Sequence, residues 1–150
     1  MRFLGVDWGG KRIGLALGES ESGVASPLCT IDARADVAGD VGAILAVAEE
    51  YAADAIVLGL PLNMDDTEGP QAKLSREVAA ALGRTGSLPV HLHDERLTSH
   101  AADERLVGRE LTRKGKKARQ DAVAAQVLLE SFMARMGADR PGVTGQPSGD

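Results

Sequence analysis

Residues 2 to 17 read R-F-L-G-V-D-W-G-G-K-R-I-G-L-A-L, two short apolar runs joined at Gly9-Gly10. A glycine pair between apolar segments predicts a two-residue hairpin turn, because such turns need positive φ angles. Gly5 and Gly14, inside the two runs, mark strands that another backbone or a ligand approaches closely. Asp7 is the anomaly. A carboxylate in a strand bound for the interior is costly to desolvate unless a cation, a metal or a set of donors meets it. Two readings follow: a salt bridge to Lys11 or Arg12, or a functional carboxylate.

Outward from this hairpin, residues 25–31 add a third strand and complete an antiparallel meander. Apolar residues at 37, 41, 44, 45 and 48 give a helical stripe over residues 37–53, weakened by Gly39 and Gly42. Residues 55–60 form a continuous apolar run stopped by Pro61, the pattern of a strand buried on both faces. Residues 71–84 are helical, with Leu74, Val78, Ala81 and Leu82 on one side, and residues 89–93 form a fifth strand. Thr98 or Ser99 can cap a helix reaching Val107, and a last helix spans residues 118–136. This order predicts an α/β fold with a mixed five-stranded sheet. Three strands are antiparallel, two are parallel and α-linked, and helices cover both faces. In open α/β sheets ligands bind beyond the carboxyl ends of the parallel strands. Asp7, the loop 62–67 and Asp94-Glu95-Arg96 all arrive at that edge.

The chain of 150 residues, 43% hydrophobic and 26% charged, is long enough for one domain with a proper core. Residues 1–136 are expected to be that domain, and the apolar-poor tail 137–150 to be disordered. The single cysteine, Cys29, cannot form an intrachain disulfide, which points to a reducing cytoplasm. Its apolar surroundings suggest a small core residue. No apolar run approaches the ~20 residues of a membrane span. The net charge of −5 argues against broad coating of nucleic acid. Positive charge gathers in Arg109, Arg113, Lys114, Lys116, Lys117 and Arg119, offset there only by Glu110, which suits an anionic partner engaged at one place. A solvated loop is the plain alternative.

Two further acids stand out. Glu95 follows the fifth strand directly, where an ordinary surface turn with Arg96 paired to an acid would also fit. Asp121 is more telling, because positions 121, 125, 128, 132 and 136 share a helix face whose other members are Ala125, Leu128, Phe132 and Met136. The helix dipole favours an acid in the first turns but not on the core-facing side. Together Asp7, Glu95 and Asp121 form an oxygen-only set suited to magnesium or manganese. Two such ions about 3.5–4 Å apart can clamp the attacking and leaving oxygens of an in-line phosphoryl displacement. No histidine, cysteine or serine set competes: His91 and His93 share a strand face without a third ligand, and His93 is expected beside the acidic site.

The segments G-V-D-W-G-G-K-R-I-G-L-A, I-V-L-G-L-P-L-N-M-D, H-D-E-R-L-T-S and D-A-V-A-A-Q-V-L-L-E-S-F resemble the successive signature blocks of the YqgF family. Its members are known as pre-16S rRNA nucleases and, earlier, as Holliday junction resolvases. The resemblance implies an RNase H-like fold and a divalent-metal-dependent endonuclease that hydrolyses phosphodiester bonds in 5′-end maturation of pre-16S ribosomal RNA. A 3′-hydroxyl and a 5′-phosphate should result. The family's acidic triad falls on Asp7, Glu95 and Asp121, with two magnesium or manganese ions. Lys11, Arg12 and Asn63 would lie near the substrate phosphates, and Arg113, Lys114, Lys116 and Lys117 would position the backbone of structured ribosomal RNA precursor or a ribosomal particle. The protein would be a cytoplasmic monomer or weak homodimer. Two residues depart from the family pattern: Asp66 stands where glycine is frequent, and Trp8 is bulkier than usual. Rival readings are a Holliday junction resolvase acting on four-way DNA and a non-enzymatic RNA- or ribosome-binding module. A phosphotransfer reading, from the likeness of D-W-G-G-K to the phosphate hairpin of actin-like ATPases, lacks the second domain those enzymes need.

Overall fold

A computed structural model describes residues 1–9, 11–33, 36–98 and 113–139, with side chains of the last helix described over 121–137. The elements are β1 (Arg2–Trp8), β2 (Arg12–Glu19), β3 (Val24–Asp32), α1 (Val37–Glu50), β4 (Ala55–Leu60), α2 (Pro70–Thr85), β5 (Val90–Asp94), a 3-10 turn (Glu95–Leu97) and α3 (Arg113–Asp139). One five-stranded sheet has the order β3-β2-β1-β4-β5. The β1–β2 and β2–β3 pairs are antiparallel, and β1–β4 and β4–β5 are parallel, as the order of elements requires. The carboxyl ends of β1, β4 and β5 therefore share one edge.

The alternation of side chains in β1 and β2 sends two different sets to the two faces. Leu4, Val6, Ile13 and Leu15 pack under α1 and α2 against Ile44, Val78 and Leu82. Phe3 and Ala16 face α3, where Val57, Ala125, Leu129 and Met133 close a second core. The continuous apolar β4 is buried at every residue because both layers cover it. Helix α1 begins on Asp36, whose carboxylate accepts from the Gly39 N–H at 2.6 Å. It ends at Glu50, earlier than the periodicity suggests. Ala52 adopts a left-handed φ of 55°, and the Ala53 N–H closes onto the Ala48 carbonyl at 2.9 Å.

Several expectations are corrected. The hairpin reverses between Gly9 and Arg12, whose N–H and carbonyl meet at 3.0 Å, one residue later than a Gly9-Gly10 turn would place it. In α2 the inward row is Ala72, Ser75, Val78, Ala81 and Leu82, and Leu74 is left 39% exposed. Cys29 is exposed, because it lies on β3, the edge strand of the sheet. Helix α3 starts at Arg113 rather than near 118 and runs to Asp139, past the boundary expected at 136. Arginine, lysine and glutamine are good helix formers, so the basic segment extends the helix rather than forming a loop. Arg109, Glu110 and the helix expected from residue 98 or 99 to Val107 lie outside the described residues, as does the tail beyond Asp139.

Glycines set how closely α3 lies on the sheet. A Cβ on Gly14 would run into the Asp121 carbonyl, and one on Gly5 would sit 3.0 Å from both the Ala125 carbonyl and the Leu129 Cβ. The close approach inferred from Gly5 and Gly14 is thus that of the α3 backbone. Gly14→Ala should lower unfolding stability in urea by about 2 kcal/mol, the usual scale for overpacking that backbone must absorb. A loss much smaller than that would mean α3 can lift without cost.

Candidate active site

Register carries Asp7 and Asp121 together. Asp7 pairs with Gly14 across β1 and β2, and Gly14 lies under the Asp121 backbone. The third acid comes from the far side of the sheet. Ladder β1–β4 ends at Val6 opposite Leu58, so Gly59 flanks Asp7 one residue further on. The Glu95 carboxylate occupies the space a Cβ on Gly59 would need. Gly59 is therefore the cradle of the site. A glycine inside an apolar strand run is the signal that marks such a close approach, and the sequence reading passed over it.

Asp7 and Glu95 hydrogen-bond to each other. Burial raises the Asp7 pKa; the bond from Glu95 opposes that rise and the Asp121 charge adds to it. Glu95 is pushed up to about 8, first by burial, then by the Asp7 charge and hydrogen bond, and finally by Asp94. Two like charges this close cannot both ionise at little cost, so burial and mutual repulsion both act against the doubly ionised pair. Asp121 stands apart from that bond. Its Oδ2 accepts from Arg12 Nε at 2.6 Å, and both side chains are roughly three-quarters buried. Among the described residues no group of three or more histidine, cysteine or acidic side chains stands ready to hold an ion.

Neighbouring contacts fix the frame. The Trp8 indole donates to the buried Asp40 carboxylate at 2.7 Å, and the Trp8 carbonyl accepts from Gln71 Nε2 at 3.1 Å. Trp8 is held on both sides, directly after Asp7. Asp40 was not foreseen, although positions 40, 44 and 48 share a helix face by the same argument that revealed Asp121.

The model of the family described as RuvX, Holliday junction resolvase, matches residues 1–135. The chain belongs to this family. A protein of Anaeromyxobacter sp. (strain K) named "Putative pre-16S rRNA nuclease" is 44% identical over 135 residues, covering 90% of this chain and 98% of that one. A relative of the same name from Moorella thermoacetica is 39% identical over 137 residues, covering 91% and 97%. The structure also resembles T. thermophilus RuvC solved in complex with a Holliday junction substrate, with a TM-score of 0.58 at 16% identity over 91% of this chain and 96% of that one. At that identity the likeness establishes the RuvC, RNase H-like fold. The YqgF resemblance and the mixed-sheet architecture read from the sequence hold.

The remaining expected site residues fall as follows. Among the described residues Asp7 is paired with Glu95 and with no cation, so the salt bridge to Lys11 or Arg12 is not formed; Arg12 bridges Asp121 instead. Lys11 lies within the hairpin reversal, and its carbonyl accepts from the Ala33 N–H at 2.9 Å. Asn63 organises its own loop, donating from Nδ2 to Thr67 Oγ1 at 2.9 Å while its N–H donates to the Thr67 carbonyl. Asp66, where the family often has glycine, adopts a left-handed φ of 73°. Arg113, Lys114, Lys116 and Lys117 occupy the opening turns of α3, ahead of Asp121 on the same helix. His93 pairs with Gly59 in register, and its Nε2 is hydrogen-bonded to Ser131 Oγ at 2.9 Å.

The folded pKa of Glu95 lies above its ordinary value of 4.5. The fold therefore keeps a proton that the unfolded chain has released, and this contribution is complete below about pH 4.5 and lost as pH rises through about 8. The charged groups facing Glu95 are Asp7 and Asp94, with the Asp121–Arg12 pair behind them. In metal-free buffer the melting temperature should fall between pH 5 and pH 8.5, and Glu95→Gln should flatten that slope. An equal slope in the variant would place the responsible proton elsewhere.

Proposed function

We propose that this chain is a divalent-metal-dependent endonuclease that hydrolyses a phosphodiester bond in structured precursor ribosomal RNA, with Asp7, Glu95 and Asp121 as its metal-holding, catalytic carboxylates. The observation that carries this reading is the Glu95 carboxylate seated against Gly59 beside Asp7, whose strand partner Gly14 lies under the Asp121 backbone. Two buried carboxyl groups pressed together are unfavourable for folding alone. They suit a site whose working state contains a hard cation, and an all-oxygen donor set is what magnesium or manganese prefers. The residues fit that group. One or two such ions would supply Lewis acidity at the phosphate and an activated water at neutral pH.

This chain's own residues do the rest. Asp7 and Glu95 would hold the cation as carboxylates, with the proton that burial favours on the pair leaving to solvent. Arg12, paired with Asp121, would swing to meet a phosphate held beside it. Lys11, Asn63 and the four cations opening α3 lie on the segments that border the same edge of the sheet. They would hold the sugar-phosphate backbone rather than read bases, so affinity should fall steeply with added salt. The P–O3′ bond is the one proposed to break, giving a 3′-hydroxyl and a 5′-phosphate.

The RNA assignment leans on relatives of about 40% identity that span nearly the whole chain and carry a precursor-rRNA nuclease name. Cleavage of four-way DNA is the second reading, favoured by the likeness to a RuvC solved with a junction. A cytoplasmic setting agrees with the absence, among the described residues, of a helix long and apolar enough to cross a membrane. We further propose a monomer or weak homodimer that meets its substrate on ribosomal particles.

One panel tests these assignments. Precursor 16S leader RNA, single-stranded RNA and DNA, and a four-way junction are incubated with magnesium or manganese and the wild type or Asp7→Asn. The leader RNA should be cut by the wild type, and Asp7→Asn should lose at least about a hundredfold in rate, the scale of removing an essential group. Preferential junction cleavage would select the second reading. Binding without turnover under every metal condition would leave a non-enzymatic module. In a separate measurement, magnesium or manganese should raise the melting temperature, and Glu95→Gln should weaken that rise.

A further inference from the structure

Arg96 follows Glu95 directly, yet its charge is spent elsewhere. Nε donates to both Asp94 oxygens at 3.1 Å, and Nη2 donates to Asp94 Oδ2 at 2.8 Å. Nη1 reaches across to the loop after β4, donating to Asp66 Oδ1 at 2.8 Å and to the Asn63 carbonyl at 3.0 Å. Asp94 Oδ1 also accepts from the Arg96 backbone N–H at 2.9 Å and so caps the 3-10 turn that carries Glu95. A planar guanidinium has fixed donor directions, so satisfying acceptors on two loops at once sets the distance between those loops. Asp66 takes part only because its backbone adopts the left-handed φ of 73°, a conformation that favours glycine and that aspartate tolerates better than most residues.

From this clamp we infer that Arg96 is a positioning residue: it ties the loop 61–69 to the turn at Glu95 and so holds the Glu95 carboxylate over Gly59, opposite Asp7. Asp66 is the outer anchor. The inference rests on the reading of Asp7, Glu95 and Asp121 as the metal-holding set. The two ion pairs differ in kind. Asp94 is mostly buried at its pair, whereas the Asp66 side chain is 83% exposed. The Asp66 arm therefore contributes little to global stability, and its effect is on where the turn sits. The guanidinium donors reach Asp94, Asp66 and the Asn63 carbonyl, which makes Arg96 a bridge between the two loops.

The test uses the intact protein in three assays. In the first, manganese is titrated against melting temperature, and Arg96→Gln should need about tenfold more ion for half of the full shift, the usual scale for loss of a group that orients a ligand. In the second, RNA cleavage by Arg96→Gln should lose about tenfold in kcat while KM stays within about twofold. Asp66→Gly keeps the left-handed turn and removes the carboxylate. It should lose about threefold in kcat with no fall in metal-free melting temperature. Asp66→Asn retains an oxygen for Nη1 and should recover most of that loss. The third assay needs no metal: amide exchange at Asn63, Asp66 and Thr98 should quicken about tenfold in Arg96→Gln. Unchanged exchange overturns the clamp, and so does a variant that changes KM alone, which would make Arg96 a substrate contact. A wild type that ignores manganese but shows the exchange change would sink the metal-site reading and leave the clamp standing.

Discussion

The closeness of α3 to the sheet is the constraint on which the site depends. Gly5 and Gly14 remove the side chains that would hold the helix away, so the Asp121 carbonyl can lie over β2 where any Cβ would collide. Packing at that distance requires the helix row Ala125, Leu129 and Met133 to fill the space left on Phe3, Ala16 and Val57. Because Asp7 is in register with Gly14, the same contact that seats the helix also brings Asp121 up to Asp7. Core packing and the meeting of Asp121 with Asp7 are therefore one event on this face.

Electrostatics then divides the acids at the edge into two kinds. Asp94, Asp66 and Asp121 each have an arginine, and for Asp94 that arginine holds the carboxyl below its ordinary pKa. Among the described residues no cation is paired with Asp7 or Glu95, and burial pushes both upward. The fold could have satisfied Glu95 with its neighbour Arg96 but directs that guanidinium to other partners. A buried pair left in this state costs stability, which is the usual mark of a group retained for chemistry rather than for folding. Trp8, fixed at its indole by Asp40 and at its carbonyl by Gln71, anchors the strand end beside Asp7.

Much of this was legible in the chain itself. The apolar run of β4, the meander before it and the alternation of strand and helix after it indicated the mixed five-stranded architecture, because hydrophobic periodicity reports which faces are buried; the order β3-β2-β1-β4-β5 came from the tertiary structure. The three acids could also be found, each as a charge interrupting an apolar pattern or following a strand. Boundaries fared worse where local preference was weak: α3 begins among lysines and arginines that could equally have been a loop, and α1 stops at a left-handed alanine that no propensity marks. Cys29 was misjudged because its apolar neighbours do not reveal that β3 is an edge.

The sequence by itself determined which residues are costly to bury and where the chain must turn, since both follow from side-chain chemistry and spacing of near neighbours. Only the tertiary structure decided partners. Whether Arg12 meets Asp7 or Asp121, whether Arg96 meets Glu95 or reaches Asp66, and that Gly59 makes room for Glu95 depend on strand register and helix docking. Those choices join residues tens of positions apart, and a charge or a glycine carries no sign of which distant group will arrive beside it.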